Sequence, residues 1–191
     1  ASAELIIRSF RESIFKVKNH LTCGVSSARA GNVIGGGDWS KERLIPDCVK
    51  FIRKKNKIVL RNPNSNRPWQ FVLEPLKGYL FLAKKQFENP NKYSSSWNFG
   101  PESKSVKSVK EIVKLMIYYW GAGSIQIKKN KKFHEHKNLQ LDIRKAKNIL
   151  KWKPTYNFKK TIKVTVDWYF RVIQNNEDPI LVTNDQITKY M

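Results

Sequence analysis

Cysteine is scarce in this sequence, which contains only Cys23 and Cys48. Neither lies among other metal-ligating residues, and the two form no recognisable disulfide framework. They therefore indicate neither a disulfide-stapled domain nor a cysteine-rich zinc module, and they suit a reducing cytoplasm, which is the predicted location. The sequence also lacks an apolar run long enough to span a membrane and shows no signal peptide, so no membrane association is predicted.

Acidic residues are also few: 15 Asp and Glu stand against 37 Lys and Arg, and the formal net charge is +22. Such an excess is typical of proteins that bind nucleic acid or another acidic surface. However, 28 of the cations are lysines, and they occur in every segment, most densely in residues 50–57, 128–132 and 145–163. This distribution favours solvated lysine faces. A basic nucleic-acid-binding module is therefore an alternative, but not the favoured one.

Several catalytic motifs are absent from the sequence. It has no Gly-x-Gly-x-x-Gly between a strand and a helix, no phosphate-binding loop with its Lys-Ser/Thr pair, and no Ser-His-Asp or Cys-His arrangement. The two histidines His134 and His136 flank Glu135, but they are not four apart on one helix face, as the helical zinc motif requires. No metal site is predicted.

Glycine is concentrated at one point, where Gly35, Gly36 and Gly37 follow one another. The small and partly apolar residues 22–28 before them indicate a buried strand, which continues into Arg29 and Asn32. In open α/β sheets, ligands bind just past the carboxyl ends of strands. The stretch therefore predicts an α/β fold with a binding site here, although a Gly-rich turn with a structural asparagine would give the same pattern.

Helix patterns frame this stretch. Residues 1–18 place apolar side chains on one stripe, and the chain opens inside this helix, so we expect it to be part of a longer protein. Ser108 with Glu111 matches a capping box for a helix that runs to Trp120, with Gly121 as its C-terminal stop. The tail from Asn175 is polar, and we expect it to be loose.

Residue by residue, the central stretch resembles the extended short-chain dehydrogenase/reductase family of nucleotide-sugar enzymes. The family's Arg-x-x-Asn-x-x-Gly is matched by Arg29, Asn32 and Gly35. Longer strings also match, namely residues 43–47, 61–63 and 67–70. The resemblance runs from Ala1 to about Phe170.

This resemblance implies the C-terminal portion of a Rossmann-type fold plus a small mixed α/β substrate-binding domain. Residues 1–40 and 69–101 would complete the NAD-binding domain, residues 41–68 and 102–175 would bind substrate, and residues 176–191 would form the tail. The family's catalytic Tyr-x-x-x-Lys and its cofactor fingerprint would lie upstream of Ala1. We therefore predict that the chain has no catalytic residue and is inactive alone.

The resemblance also implies site residues. Substrate-binding positions would be Asn32, Arg43, Leu44, Ile45, Arg61, Arg67, Asn98, Glu135 and His136. Ala30 and Gly31 would line the nicotinamide of NAD. Arg67 and Asn32 would face the substrate diphosphate, for which the planar guanidinium fork is well suited. The sequence departs from the family at Phe71, where a histidine is usual.

By resemblance, the complete enzyme is a dehydratase that takes a hydride from sugar C4, eliminates water across C5 and C6, and returns the hydride to C6. The family also packs the helix of residues 1–18 in a dimer, which predicts a homodimer here. An enzyme for another nucleotide sugar of the same fold, or a remnant that only dimerises, are alternatives. Nucleic-acid binding would weaken steeply with salt, whereas a single diphosphate pocket would respond less.

Overall fold

The computed structural model describes residues 2–17, 20–21, 23–128 and 140–191, and it is a mixed α/β fold, as the sequence predicts. The helices are α1 (Ser2–Ser13), α2 (Leu44–Arg53), α3 (Leu73–Glu88), α4 (Pro90–Tyr93), α5 (Val109–Trp120), α6 (Phe158–Ile173) and α7 (Pro179–Tyr190). The strands are β1 (Lys16–Val17), β2 (His20–Leu21), β3 (Ser27–Ala30), β4 (Asn32–Ile34), β5 (Ile58–Leu60), β6 (Asn66–Phe71), β7 (Ser96–Phe99), β8 (Val106–Ser108) and β9 (Ile125–Ile127). None of the helices in these described ranges combines the length and hydropathy needed to cross a bilayer.

The chain divides into two compact units. The first unit is residues 1–30, 74–100 and 141–154, and the second is residues 31–73, 101–140 and 155–191. Relative to the division expected from the sequence, residues 31–40 and 69–73 lie in the second unit rather than with the NAD-binding segments, and residues 141–154 lie in the first. The assignment of cofactor and substrate binding to these units stays a prediction.

The first unit is built around the parallel pair β3 and β7, which aligns Ser27 with Ser96 and Ala30 with Phe99. Helix α3 approaches β7 closely, because a Cβ on Gly78 would lie 2.4 Å from the Phe99 ring. The buried core of this unit is Leu82, Tyr93, Trp97, Phe99, Ile143, Ala146, Leu150 and Trp152. The last helical segment of this unit is a π-helical turn, Ala146–Leu150.

Helix α1 also belongs to the first unit, and it ends at Ser13, earlier than the sequence pattern predicts. None of its residues is buried. Its apolar side chains Leu5, Ile6 and Phe10 are exposed, as is Ile14 just after it. The amphipathic pattern therefore predicted the helix correctly, but the described part of this unit does not cover the apolar stripe.

The second unit contains the three-stranded sheet β4-β6-β8 and the parallel pair β5 and β9. In the sheet, β4 is parallel and β8 antiparallel to β6. Helices α2, α5 and α6 cover a continuous apolar core that includes Val49, Ile112, Met116 and Ile162. The predicted capping box of α5 is present, and Gly121 ends the helix with φ of 79°.

Residues 179–190 form helix α7, where the sequence predicts a loose tail. Asp178 caps it, since its Oδ1 accepts hydrogen bonds from the amides of Ile180 and Leu181 at 2.6 and 3.2 Å. Pro179 occupies the first turn, where proline is well tolerated. Val182 is buried against the core, so the helix is held by packing that its polar composition does not reveal.

Candidate substrate-binding site

Two of the predicted phosphate ligands lie on neighbouring strands of the second unit. Asn32 begins β4 and aligns with Trp69 of β6, and Arg67 lies two residues, about 6.6 Å, before Trp69 on the same strand. Trp69 is buried, and its Nε1 donates to the carbonyl of Lys107 at 3.2 Å. The Arg67 Nη1 donates to the Asn66 carbonyl at 2.9 Å. Arg67 therefore starts from the central strand of the sheet, paired on both sides, and Asn32 from the neighbouring strand β4, which pairs with β6.

Arg61 follows β5 directly and is exposed. The loop between Arg61 and Arg67 is fastened to the start of α5, because the amides of Val109 and Lys110 donate to the carbonyls of Ser65 and Pro63 at 3.1 and 2.9 Å. The two arginines thus stand at either end of a loop whose backbone is fixed, which favours precise placement of their guanidinium groups.

Arg43 is the N-cap of α2, and its side chain makes no capping hydrogen bond. Leu44 is partly exposed, whereas Ile45 is only 4% exposed and belongs to the core of the second unit. Both residues are predicted to bind substrate. Because the Ile45 side chain has almost no exposed surface, Leu44 is the one of the two that a ligand could contact.

Gly31 has a structural reason to be glycine. A Cβ at this position would lie 2.7 Å from the carbonyl oxygen of Pro68, so the backbone of the two strands could not approach as it does. Ala30 ends β3 in the first unit, and Gly31 begins the second. The predicted contact of Ala30 and Gly31 with nicotinamide stays a prediction.

Asn98 lies in the first unit, opposite Arg29 in the β3-β7 register. Its Nδ2 donates to the Asp142 carbonyl at 3.1 Å, while its Oδ1 is buried without a hydrogen-bond partner among the described residues. A buried acceptor without a donor is unusual, and it is consistent with the predicted role of Asn98 in binding substrate. Glu135 and His136 lie outside the described residues.

A cluster that the sequence does not reveal fastens α1 to the strands of the first unit. The Ser27 hydroxyl lies 2.8 and 2.9 Å from the two Glu4 carboxylate oxygens, and the Ser96 hydroxyl lies 2.7 Å from one of them. These hydrogen bonds lower the pKa of Glu4, and the bond from Ser96 has the largest effect. Nearby, Lys145 donates to the Ser96 carbonyl and lies 4.3 Å from the Trp97 ring centroid, and burial lowers its pKa.

The described ranges contain no group of three or more metal-ligating side chains. Burial raises the pKa of the Cys48 thiol to about 12, so this cysteine is not a reactive thiolate. Most of the described candidate residues are cations and amides, which suit an anionic organic ligand. The second unit carries Gly31, Asn32, Arg43, Leu44, Arg61 and Arg67, and the first unit carries Ala30 and Asn98.

The sequence is similar to a curated protein of known name. It is 40% identical over 192 residues to CDP-glucose 4,6-dehydratase of Salmonella typhimurium strain LT2, and the match covers 99% of this chain and 53% of that protein. The chain thus spans about half the length of this relative. No family model matches the chain.

Solved structures share the fold. The dTDP-glucose 4,6-dehydratase of Bacillus anthracis strain Ames, solved with NAD, matches with a TM-score of 0.73 and 21% identity, covering 92% of this chain and 51% of that one. The UDP-glucose 4-epimerase of Thermotoga maritima, solved with UDP-glucose, matches with a TM-score of 0.71 and 20% identity, covering 92% and 52%. Together with the sequence match, they bear out the resemblance of this chain to the extended short-chain dehydrogenase/reductase family of nucleotide-sugar dehydratases and epimerases.

Proposed function

We propose that this chain is the substrate-binding half of an NAD-dependent nucleotide-sugar 4,6-dehydratase that converts CDP-glucose to CDP-4-keto-6-deoxyglucose. The observation that carries the proposal is the 40% identity to CDP-glucose 4,6-dehydratase across 99% of this chain. The placement of Asn32 and Arg67 on adjacent strands supports it, because these are the side chains that the resemblance assigns to the substrate diphosphate.

The chain's part in this reaction is to bind and orient, not to transfer the hydride. Arg67 and Arg61 would neutralise the diphosphate through the parallel hydrogen bonds of the guanidinium fork. Asn32 would donate its amide to the same group. NAD would supply the hydride acceptor when bound, held by a fingerprint that this sequence does not contain. We accordingly propose that the chain alone neither binds NAD measurably nor turns over any sugar nucleotide.

The phosphate clamp is tested by Arg67→Lys in the whole enzyme. Lysine keeps the charge but loses the fork, and charge-assisted bonds of this kind contribute about 1.5–3 kcal/mol. We expect nucleotide-sugar binding to weaken about tenfold or more in a calorimetric titration, while NAD binding is unchanged. Arg8→Lys, on the exposed side of α1, is the matched control. If Arg67→Lys binds CDP-glucose and other sugar nucleotides as the parent does, the clamp is misplaced and Arg61 becomes the better candidate.

The proposal includes a homodimer through α1. Phe10 is 50% exposed and forms an apolar stripe with Ile6 and Ile14, and no residue of α1 is buried. Phe10→Glu would place a charge in the centre of that stripe, so we expect the whole protein to sediment as a monomer. Ser9→Glu adds the same charge at a polar position of the helix and should leave the dimer intact. An unchanged dimer in the Phe10→Glu variant would remove α1 from the interface.

Location and partner class complete the proposal. Both cysteines are free thiols, which suits the reducing cytoplasm. The rival nucleic-acid-binding function, which rests on the net charge of +22, predicts that binding to single-stranded DNA falls steeply between low and moderate salt. A shallow salt response of CDP-glucose binding, with no tight DNA binding, would favour the enzyme.

A further inference from the structure

Trp39 differs from every other tryptophan in the chain. The remaining five, Trp69, Trp97, Trp120, Trp152 and Trp168, are each at most 7% exposed and lie within the cores. Trp39 is 43% exposed. It stands in the loop that follows the carboxyl end of β4, four residues before the N-cap of α2. Whether this exposed ring can serve a ligand depends on how firmly the loop is held.

The backbone of this loop is instead fixed to the second unit. A Cβ on Gly36 would lie 2.0 Å from the Trp168 ring, so the chain passes directly over that indole. Gly37 then turns the chain with φ of 79°. Trp168 is itself held, because its Nε1 donates to the Thr183 hydroxyl at 2.9 Å. The backbone just before Trp39 therefore packs against a buried side chain of α6.

Tyr169 holds the other side of the loop. Its hydroxyl donates to the Asp38 carbonyl at 2.6 Å, and burial raises its pKa, so the donor stays protonated. Its ring meets the Trp39 ring edge to face, with centroids 5.2 Å apart. Lys50 of α2 donates to the Trp39 carbonyl at 3.3 Å. The backbone and one contact of the Trp39 ring are thus set before any ligand arrives, which lowers the entropy cost of using the ring.

The surroundings of the ring are polar. Asp38, Ser40, Lys41, Glu42 and Arg43 are all exposed. The Asp38 carboxylate accepts the Ser40 amide, and this bond, aided by the charges of Arg43 and Lys50, lowers its pKa. Charged groups are depleted at the centres of protein–protein interfaces. A single aromatic face rimmed by charged donors and acceptors instead suits a planar heterocycle with polar edges.

We propose that Trp39 is the stacking platform for the base of the nucleotide-sugar substrate. The loop lies beside Arg43 and Leu44, which the resemblance assigns to substrate binding, and this inference rests on the proposed function. The base would lie against the exposed part of the indole while the charged rim contacts its edges. The diphosphate would remain the task of the arginine clamp, so base and phosphate affinities are separable.

The test uses the full chain and two probes, CDP and inorganic pyrophosphate. Because the other five tryptophans are buried, ligand-dependent quenching of tryptophan fluorescence reports on Trp39. We expect CDP to quench and pyrophosphate not to. We expect Trp39→Ala to raise the Kd for CDP about tenfold by calorimetry, in the range found for base-stacking aromatics, and to leave the Kd for pyrophosphate unchanged. Trp39→Phe should lose the quenching but keep the affinity within about threefold, since a ring remains.

Tyr118→Ala removes an exposed aromatic from α5 and serves as the matched control. Thermal unfolding confirms that each variant is folded. If Trp39→Ala binds CDP as the parent does, or weakens pyrophosphate equally, the platform is refuted while the proposed function stands. If the parent binds neither CDP nor pyrophosphate, the proposed function fails together with the inference. A single-stranded cytidine oligonucleotide that binds far more tightly than CDP would also overturn it, because the ring would then serve nucleic acid.

Discussion

Helices α1 and α5 have the same length, 12 residues, but differ in what they bury. Helix α5 of the second unit buries Ile112, Val113, Met116 and Trp120. Helix α1 of the first unit buries nothing and is attached by polar contacts. Glu4 accepts from the Ser96 hydroxyl of β7, and Arg11 donates to the Ser94 carbonyl just before that strand. Both sequences are amphipathic. An apolar stripe therefore shows that a helix needs a partner, and only the structure shows whether the chain itself supplies one.

Exposed apolar side chains do not separate the units. The first unit presents Leu76, Leu80 and Phe87 of α3 to solvent, and the second presents Tyr118, Ile180 and Leu181. The second unit joins 18 buried residues into one described core cluster, against eight in the first. From the larger core cluster, we infer that the second unit holds most of the chain's own stability.

The largest expected effect comes from shortening a buried side chain of α5, and an exposed side chain of α1 gives the comparison. Met116→Ala leaves a cavity in a fully buried site, and such changes cost about 2–5 kcal/mol. Ile6→Ala removes a side chain that is 57% exposed and should cost less than about 0.5 kcal/mol. Urea unfolding of the two variants at low protein concentration measures both. A cost above about 1 kcal/mol for Ile6→Ala would mean that α1 is covered in solution.

Acid should separate the two helices. Glu4 and Glu111 both have pKa values below the ordinary value, Glu4 through the hydroxyls of Ser96 and Ser27, and Glu111 through the amide of Ser108. A lowered pKa means that each contribution is complete above the unfolded-state pKa, about 4.3, and is lost as the pH falls through the folded-state value. Because α1 has no buried residue to hold it, we expect α1 to detach first.

Hydrogen-exchange protection of the α1 and α5 amides, compared at pH 6 and pH 3, measures this difference. Protection in α1 should fall on acidification after correction for the intrinsic rate, while that of α5 persists. Glu4→Gln should lower α1 protection already at pH 6, with Glu12→Gln, on the same helix and outside the serine cluster, as its control. Equal loss in both helices would show that α1 is not the weaker attachment.

The parts of the fold that could be predicted from the sequence are those with local causes. The Ser108 to Gly121 helix is specified by its capping box and its terminal glycine, and both are observed. The polar pattern from Asn175 predicts a loose tail instead of helix α7, although Asp178 and Pro179 signal the start of a helix. Only Val182, Gln186 and Tyr190 of α7 are buried, so its polar face dominates the pattern. The contacts of Glu4 could not be found, because they join residues 23 and 92 positions apart.

The candidate site divides in the same way. Asn32 and Arg67 could be named from motifs, but their proximity depends on the pairing of β4 with β6, which no local pattern fixes. The burial of Ile45 could have been anticipated from the apolar face of α2, where Val49 and Ile52 follow it at helical spacing. The fixed loop before Trp39 could not, since it depends on Tyr169, 131 residues beyond Asp38.

The smallest expected effect is a stabilisation, and it also compares the units. Lys55, two residues after the end of α2, has a φ of 56°, and Lys151, directly after the π-helical turn of the first unit, has a φ of 58°. Side chains other than glycine pay about 1–2 kcal/mol in this left-handed region. The Lys55 conformation is required by the chain, because the amides of Lys55 and Asn56 donate to the carbonyls of Ile52 and Phe51, both at 2.9 Å.

Lys55→Gly should therefore gain about 0.5–1 kcal/mol, after the entropy cost of glycine is subtracted, and raise Tm by roughly 2 °C. Lys54→Gly is the matched control: its φ is −82°, so glycine brings only its entropy cost and should destabilise. Lys151→Gly should gain a similar amount locally. If the two units unfold together, both glycines shift the same calorimetric transition. If the first unit unfolds earlier, as its smaller core cluster implies, Lys151→Gly shifts only the earlier transition and Lys55→Gly only the later one. A single transition raised equally by both would show that the smaller core cluster does not make the first unit the weaker part.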